Sequence, residues 1–396
     1  MIHRDNCDSR MSTGKITVLY MNDLSEVQGQ TEPYYVLQHL ANQYDVHLLS
    51  PTDPEIDGVL YHSIPNSDLI PALIWHNILI FPILLFKISM IDSDVLYTYG
   101  KFPVASLLIS TVCETRWVTD FRTAPTDQGY EFAVLKQQTS LLRGFYLWTW
   151  DLIYKITLPS ADHVITLSTE LIERLHNEYQ VPPENLTMVP LGVDSEAFDY
   201  NRFEQQESTR TRYVYLGSIA RFRGLQTCFK AVANDEGLQD DVELHLIGTG
   251  PDDDIMKLRQ KTTELGIESM ITWHGYVGHE QVPSLLAEMD IALSPLPPHD
   301  SFEVSSPAKL YEYLSMGLPI VCSDITPHQD TLTESHTGWF FEPSSSGSAA
   351  EAMRDAKEAI QMDKTGVQSR TRKVALRNDW SERISRIEPA IFPDNE

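Results

Sequence analysis

The stretch Ser305-Ser306-Pro307-Ala308-Lys309-Leu310-Tyr311-Glu312-Tyr313-Leu314-Ser315-Met316-Gly317-Leu318-Pro319 holds the residues best spaced for chemistry. Ser306 is a good N-cap, Pro307 suits the first helical position, and Gly317 followed by Pro319 closes the helix. The helix start, Ser306 to Leu310, offers free N–H groups and a positive dipole end, and Lys309 adds a formal charge in the first turn. Together these make a phosphate site. Glu312, three residues on, shares an edge with Lys309 and can accept hydrogen bonds from nucleotide sugar hydroxyls one turn away. The same pair also fits an i,i+3 surface salt bridge.

Two more turns have the right residues for a diphosphate. Gly217-Ser218-Ile219-Ala220-Arg221-Phe222-Arg223-Gly224 follows a predicted strand: Gly217 permits close backbone approach, while Arg221 and Arg223 offer guanidinium forks to phosphate oxygens. Gly248-Thr249-Gly250 is a second strand-to-glycine turn. It is not a dinucleotide fingerprint and reads equally as a tight turn. In the first half, Asp120 and Arg122 end a predicted strand and are candidates for holding an acceptor or a transferred sugar, or else form a structural Asp–Arg pair. His62, His76 and His163 sit in apolar contexts that fit packed imidazoles, and none is given a role. Asp252-Asp253-Asp254 reads as a charged helix start, not a metal motif.

Positioning these residues requires two α/β layers. Apolar, β-rich runs at Ile16–Tyr20, Val46–Ser50, Asp94–Tyr99, Trp117–Phe121 and His163–Leu167 alternate with helix-length segments. A second series follows at Tyr213–Leu216, Val242–Ile247, Ile271–Trp273, Ile291–Ser294 and Pro319–Cys322. Continuous rather than alternating hydrophobicity marks strands buried on both faces, as in parallel sheets. The expected division is a tail over 1–14, a Rossmann-like domain over 15–198, a polar linker over 199–211, a second Rossmann-like domain over 212–375, and a C-terminal helix over 376–396 packing back on the first domain. Ligands of such sheets bind at the strands' carboxyl ends, so a cleft between the domains is the expected site.

The 396 residues carry 56 acids against 30 bases, a net charge of −26 that is spread over both halves. Such a surface repels a phosphate backbone, which argues against nucleic-acid binding. Scarce Lys and dispersed carboxylates read as adaptation to high salt, with an ordinary acidic cytosolic protein as the alternative. Cys7, Cys113, Cys228 and Cys322 are widely separated, without metal-ligand spacing, and fit inert thiols in a reducing cytoplasm. The first fourteen residues have no apolar core of a secretory signal. Leu69–Ile91 is apolar over nearly a bilayer's width, yet Pro71, His76, Asn77, Pro82 and Lys87 interrupt it. A buried or membrane-surface helix pair is expected there, and the aromatic run Leu141–Tyr154 fits the same two readings.

Taken in order, YLGSIARFRGL, HLIGTGPDDDIMKL, ITWHGYVGHEQVPSLLAEMDIALSP, SPAKLYEYLSMGLPIV and TGWFFEP, with VITLSTEL and NLTMVPLGVDSEAF earlier, resemble the retaining glycosyltransferases of family 4 across nearly the whole chain. The resemblance implies the GT-B fold, two facing Rossmann-like domains, with a UDP- or GDP-linked sugar on the second and no metal or other cofactor. It places Arg223 where the family has a diphosphate-binding Lys, beside Gly224, while Ser218 stands for the family's preceding Arg, leaving Arg221 to compensate. Lys309 would hold the diphosphate, and Glu312 matches the second Glu of a Glu-x7-Glu signature, contacting ribose. The first Glu falls on Val304, with Glu303 one residue away as its substitute. Tyr276 and Val277 would meet the base. Gly29-Gln30 stands where the family has a Gly-Gly loop.

The expected function is therefore retaining transfer of a sugar to a glycan or polyprenyl-linked acceptor in cell-surface glycan assembly, in the cytoplasm at the membrane face. Glu303, Arg223, Lys309 and Glu312 would carry the chemistry. A non-catalytic binding protein and a nucleotide-sugar epimerase are the competing readings.

Overall fold

The computed structural model describes residues 14–22, 24, 32–67, 69–124, 141–204, 208–239, 241–299, 302, 308–332 and 336–393, with only the backbone of 141–143. The chain forms two compact units. The first runs to Pro190 and takes back the chain from Ser381; the second holds Leu191–Trp380.

The first unit is built on a seven-stranded parallel sheet. Its strands are β1 (Lys15–Leu19), β2 (Asp45–Ser50), β3 (Val59–Ser63), β4 (Val95–Tyr99), β5 (Arg116–Asp120), β6 (His163–Thr166) and β7 (Leu186–Met188), in the order β3-β2-β1-β4-β5-β6-β7. The central strands are buried along their length, as continuous apolar runs require. Helices Phe81–Ile91 and Pro103–Cys113 bury Leu84, Ile88, Ala105 and Ile109 in one core cluster. Helices Leu141–Thr157 and Thr169–Tyr179 close another around Trp117, Trp150, Tyr154 and Tyr179.

Leu69–Ile91 folds as two helical pieces, Ala72–Leu79 and Phe81–Ile91, bent by 48°. The break follows a π turn, Trp75–Leu79, and Pro82 sits in the first turn of the second piece. Among the described residues no single helix is long and apolar enough to cross a membrane; this bent pair passes that test only when both pieces are taken together.

The second unit repeats the plan. Its sheet holds β8 (Thr211–Leu216), β9 (Val242–Ile247), β10 (Ile271–Gly275), β11 (Ile291–Ser294), β12 (Ile320–Ser323) and β13 (Gly338–Phe341), all parallel, in the order β10-β9-β8-β11-β12-β13. Helix Asp252–Glu264 starts at the three aspartates. Helix Ala308–Ser315 packs Leu310, Tyr313 and Leu314 into the core, and helix Ser346–Leu376 covers the sheet with a kink at Asp363.

The division between units falls after Pro190, not at 198. The stretch expected as a single helix over 376–396 holds two short helices, Trp380–Ile384 and Glu388–Ile391. Glu388 Oε1 lies 2.7 Å from His39 Nε2, and Arg116 donates to the Ala390 carbonyl at 3.2 Å; all four residues belong to the first unit. Three strands escaped the sequence reading, β3, β7 and β13, and each is an edge strand.

Candidate functional site

In the second unit, the carboxyl ends of β8, β9 and β10 deliver Gly217, Gly248 and Gly275, all at positive φ. A Cβ on Gly248 would collide with the Gly217 carbonyl oxygen, and one on Gly250 with that of Ile219. The Gly248-Thr249-Gly250 turn is therefore glycine because it lies against the 217–219 backbone. Gly217 itself has open space where a side chain would be, the geometry that lets a ligand reach the backbone. Past this turn, Arg221 donates its Nε and its backbone N–H to Asp254, the backbone bond at 3.2 Å. Arg221 thus ties the loop to the start of helix Asp252–Glu264. The Arg223 guanidinium lies over the rings of Phe222 and Phe302, at 4.9 and 5.4 Å from their centroids.

Helix Ala308–Ser315 brings the remaining charges. Lys309 Nζ sits 4.2 Å from the ring centroid of Tyr215, the buried residue near the end of β8. Burial pushes its ammonium from 10.5 down to about 7, helped by the nearby Arg223 charge and opposed by Glu312. Tyr313, on the same helix, accepts a hydrogen bond from the Leu216 backbone N–H at 2.6 Å and so fixes the helix to β8. Glu312 Oε1 lies 3.2 Å from His279 Nε2, whose ring packs on Phe198 at 5.1 Å. Val277 is partly buried, while Tyr276 is 74% exposed. Below the helix, buried His328 joins Ser294 Oγ at 2.9 Å and the Ser323 carbonyl at 2.7 Å; burial lowers it to about 4, so it sits neutral between β11 and β12.

The structure thus brings together Gly217, Arg223, Lys309, Leu310 and Glu312 around the end of β8. Glu303, Ser306 and Pro307, and likewise Gly29 and Gln30, lie outside the described residues.

In the first unit, Asp120 and Arg122 form a buried ion pair that gains a third member. Arg122 grips Asp120 through Nε and, at 2.6 Å, a terminal nitrogen, and that same nitrogen lies 2.7 Å from Glu32 Oε1. The other terminal nitrogen, Nη1, donates to the Val189 carbonyl at 3.4 Å. Tyr97 donates to Asp120 at 3.2 Å and Tyr99 to Glu32 at 3.4 Å. Burial raises the Glu32 carboxyl well above its usual range, the Arg122 charge pulling it down and Asp120 pushing it up. Two carboxyls around one guanidinium give a buried cluster in which Glu32 tends to keep its proton.

Sequence reading missed Glu32, ninety positions from its partner, and His279, whose sole signal was its place in the segment HGYVGHE. His163 meets Thr187 at 2.8 Å and is lowered to about 4 by burial, the packed imidazole expected.

Two family models match the chain: that of the glycosyl transferases group 1 over residues 210–358, and that of Glycosyltransferase Family 4 over residues 34–197. Over 165 residues the chain is 28% identical to an MMP alpha-(1->4)-mannosyltransferase of Mycolicibacterium hassiacum. That match covers 40% of this chain and spans about a third, 36%, of the relative's length. Among solved structures, a glycosyltransferase from Rickettsia africae shares the fold with a TM-score of 0.74 at 14% identity, covering 97% of this chain and 99% of that one. Anabaena HepE, solved in complex with UDP, gives 0.69 at 14%, covering 95% and 99%. WaaG, a glycosyltransferase involved in lipopolysaccharide biosynthesis, gives 0.70 at 15%, covering 96% and 99%.

Proposed function

Because the chain belongs to the group 1 glycosyltransferases of the GT-B fold, we propose that it transfers a sugar, with retention, from a UDP- or GDP-sugar held on the second unit to a glycan or lipid-linked acceptor. The observation that carries this reading is the meeting of Lys309 and Arg223 with the open backbone of Gly217, one helical turn from Glu312. Two cations and a bare glycine turn suit a diphosphate, and a carboxylate at that spacing suits ribose hydroxyls.

In this reading the nucleotide diphosphate departs, an oxocarbenium-like sugar forms, and the acceptor hydroxyl attacks the face just vacated. The bond from anomeric carbon to phosphate oxygen breaks, a glycosidic bond forms, and the acceptor proton goes to the leaving diphosphate. Catalysis is electrostatic: Lys309 and Arg223 stabilise the charge that develops on the leaving group, so the transfer proceeds without a metal. Arg221, committed to Asp254, shapes the loop. Family 4 membership, supported by the first-domain match over 34–197, is part of the same proposal, and so is a cell-surface glycan product. Glu303 in the place of the signature's first Glu also belongs to it.

Thermal shift with a panel of UDP- and GDP-sugars tests the reading. One donor should raise the midpoint, since a ligand that binds only the native state stabilises it by mass action. Lys309→Ala should abolish the shift and lower transfer by about a hundredfold or more, the usual loss of a preorganised charge on a leaving group. No shift with any donor would sink the proposal.

A further inference from the structure

We propose that one face of the first unit lies on a neutral lipid surface. Helices Phe81–Ile91, Pro103–Cys113 and Leu141–Thr157 stand side by side, with Pro103–Cys113 packed against both others. Their inner sides fill the core through Leu84, Ile109 and Trp150. Their outer sides are apolar as well. Phe86 and Met90 are 67% and 72% exposed, and Leu108, Val112, Trp148 and Ile156 are exposed at the same four- and eight-residue helical spacings. A water-facing side would be polar, and a helix apolar on both sides needs a second apolar neighbour. Of the exposed large apolar residues among those described, the second unit contributes only Met256, Tyr276, Met362 and Leu376, which are scattered: Met256 is on helix Asp252–Glu264, Tyr276 follows β10, and Met362 and Leu376 are fourteen residues apart on helix Ser346–Leu376.

Charge decides the occupant. The chain carries −26, yet the described parts of these helices hold one acid, Asp151, which accepts from Tyr179 at 2.6 Å and pairs with Lys155 at 2.8 Å. A second copy of so acidic a chain would be repelled on approach, whereas a zwitterionic bilayer would not. Trp148, with Phe145 at 5.8 Å between ring centroids, suits the bilayer's interface, and Lys87 and Lys155 can extend past the apolar layer. At the start of the preceding helix a cavity of about 530 Å³ opens, lined by Leu69, Ile70, Ala72, His76 and Lys101. The inference deepens the lipid-linked acceptor of the proposed transfer and rests on that reading for its use.

Flotation of the full chain with phosphatidylcholine vesicles tests it without donor or acceptor, so failure here is distinct from failure of the thermal-shift panel. The protein should float. The variant Phe86→Ser/Val112→Ser/Trp148→Ser should partition at least about tenfold less, each lost apolar chain weakening binding, while Met256→Ser/Met362→Ser should float like the wild type. With phosphatidylglycerol vesicles, salt should strengthen binding by screening like charges, the opposite of a basic patch. Should the triple variant fail to fold, brominated lipid should quench wild-type fluorescence, and less in Trp148→Phe. Absence of flotation at every salt, unimpaired flotation of a folded triple variant, equal quenching in Trp148→Phe, or a dimer that the triple variant abolishes without vesicle binding would each overturn the proposal.

Discussion

The two units share a sheet plan to an unusual depth and differ in what they do with charge. In each, the first strand in sequence lies third from one edge of the sheet, flanked by the second and the fourth. In each, the second and third strands carry facing histidines, with an acid two residues before the first: His47 Nδ1 and His62 Nε2 at 2.8 Å beside Asp45, and His245 Nδ1 and His274 Nε2 at 3.0 Å beside Glu243. At the carboxyl ends of the central strands the likeness stops. The first unit gathers Glu32 and Asp120 around one arginine, an excess of acid. The second gathers Lys309 and Arg223, an excess of base beside one glutamate. Because Glu32 keeps its proton, the first cluster is close to neutral while the second is cationic, so a common scaffold presents different local charge and only the second suits a diphosphate.

The largest test of that contrast is steric. Gly250→Ala puts a Cβ into the Ile219 carbonyl and should cost about 3 kcal/mol or more in urea unfolding, as forced backbone clashes do. Gly144→Ala, helical with nothing within 4 Å, should instead stabilise the first unit by about 0.5–1 kcal/mol. Comparable losses from both would mean that the glycine turn is not special.

Next comes the pH dependence of donor binding. A lysine lowered to about 7 must take up a proton to hold a diphosphate, so nucleotide affinity should fall roughly tenfold per pH unit above 7. Lys309→Arg, charged throughout, should flatten that slope in calorimetric titrations. An unchanged slope would remove Lys309 from the phosphate site. In the absence of ligand the same depressed value makes Lys309 favour folding above pH 10.5, a contribution lost as pH falls through 7.

The acid cluster should show the opposite sign. Glu32 is raised, so its contribution is complete below its unfolded value near 4.5 and disappears as pH rises through the raised folded value. Glu32→Gln keeps the neutral shape, and relative to wild type it should gain about 1–2 kcal/mol between pH 6 and pH 9. A constant difference over that range would show that Glu32 is ionised throughout.

The histidine pairs should give the smallest effect and the same one in both units. Burial lowers His62 and His274, so their contribution is full above 6.5 and lost as pH falls. His62→Phe and His274→Phe should each soften the acid-side loss of melting temperature by an amount worth less than about 1 kcal/mol. A change in one unit alone would break the parallel.

Much of this arrangement was legible because it is local. The central strands announce themselves as unbroken apolar runs, and Lys309 and Glu312 lie on one helix, so their relation follows from spacing alone. Edge strands such as Val59–Ser63, half-exposed along their length, give no such run. Glu32 and Arg122, His279 and Glu312, or Arg221 and Asp254 meet only after the sheets assemble, and no spacing rule joins them. Leu69–Ile91 was ambiguous for another reason: apolarity on both sides of a helix says that it is covered, and only the packed structure shows which side the core takes.

Residues 381–393 carry a consequence for synthesis. Tyr44 stacks on Phe392 at 4.9 Å, and Arg116 holds the Ala390 carbonyl, so the first unit closes with segments made after the whole second unit. On the ribosome, the unit whose amino-terminal strands emerge first is the one that finishes last. It waits, with its acid cluster and apolar helices already outside, while the second unit can complete itself.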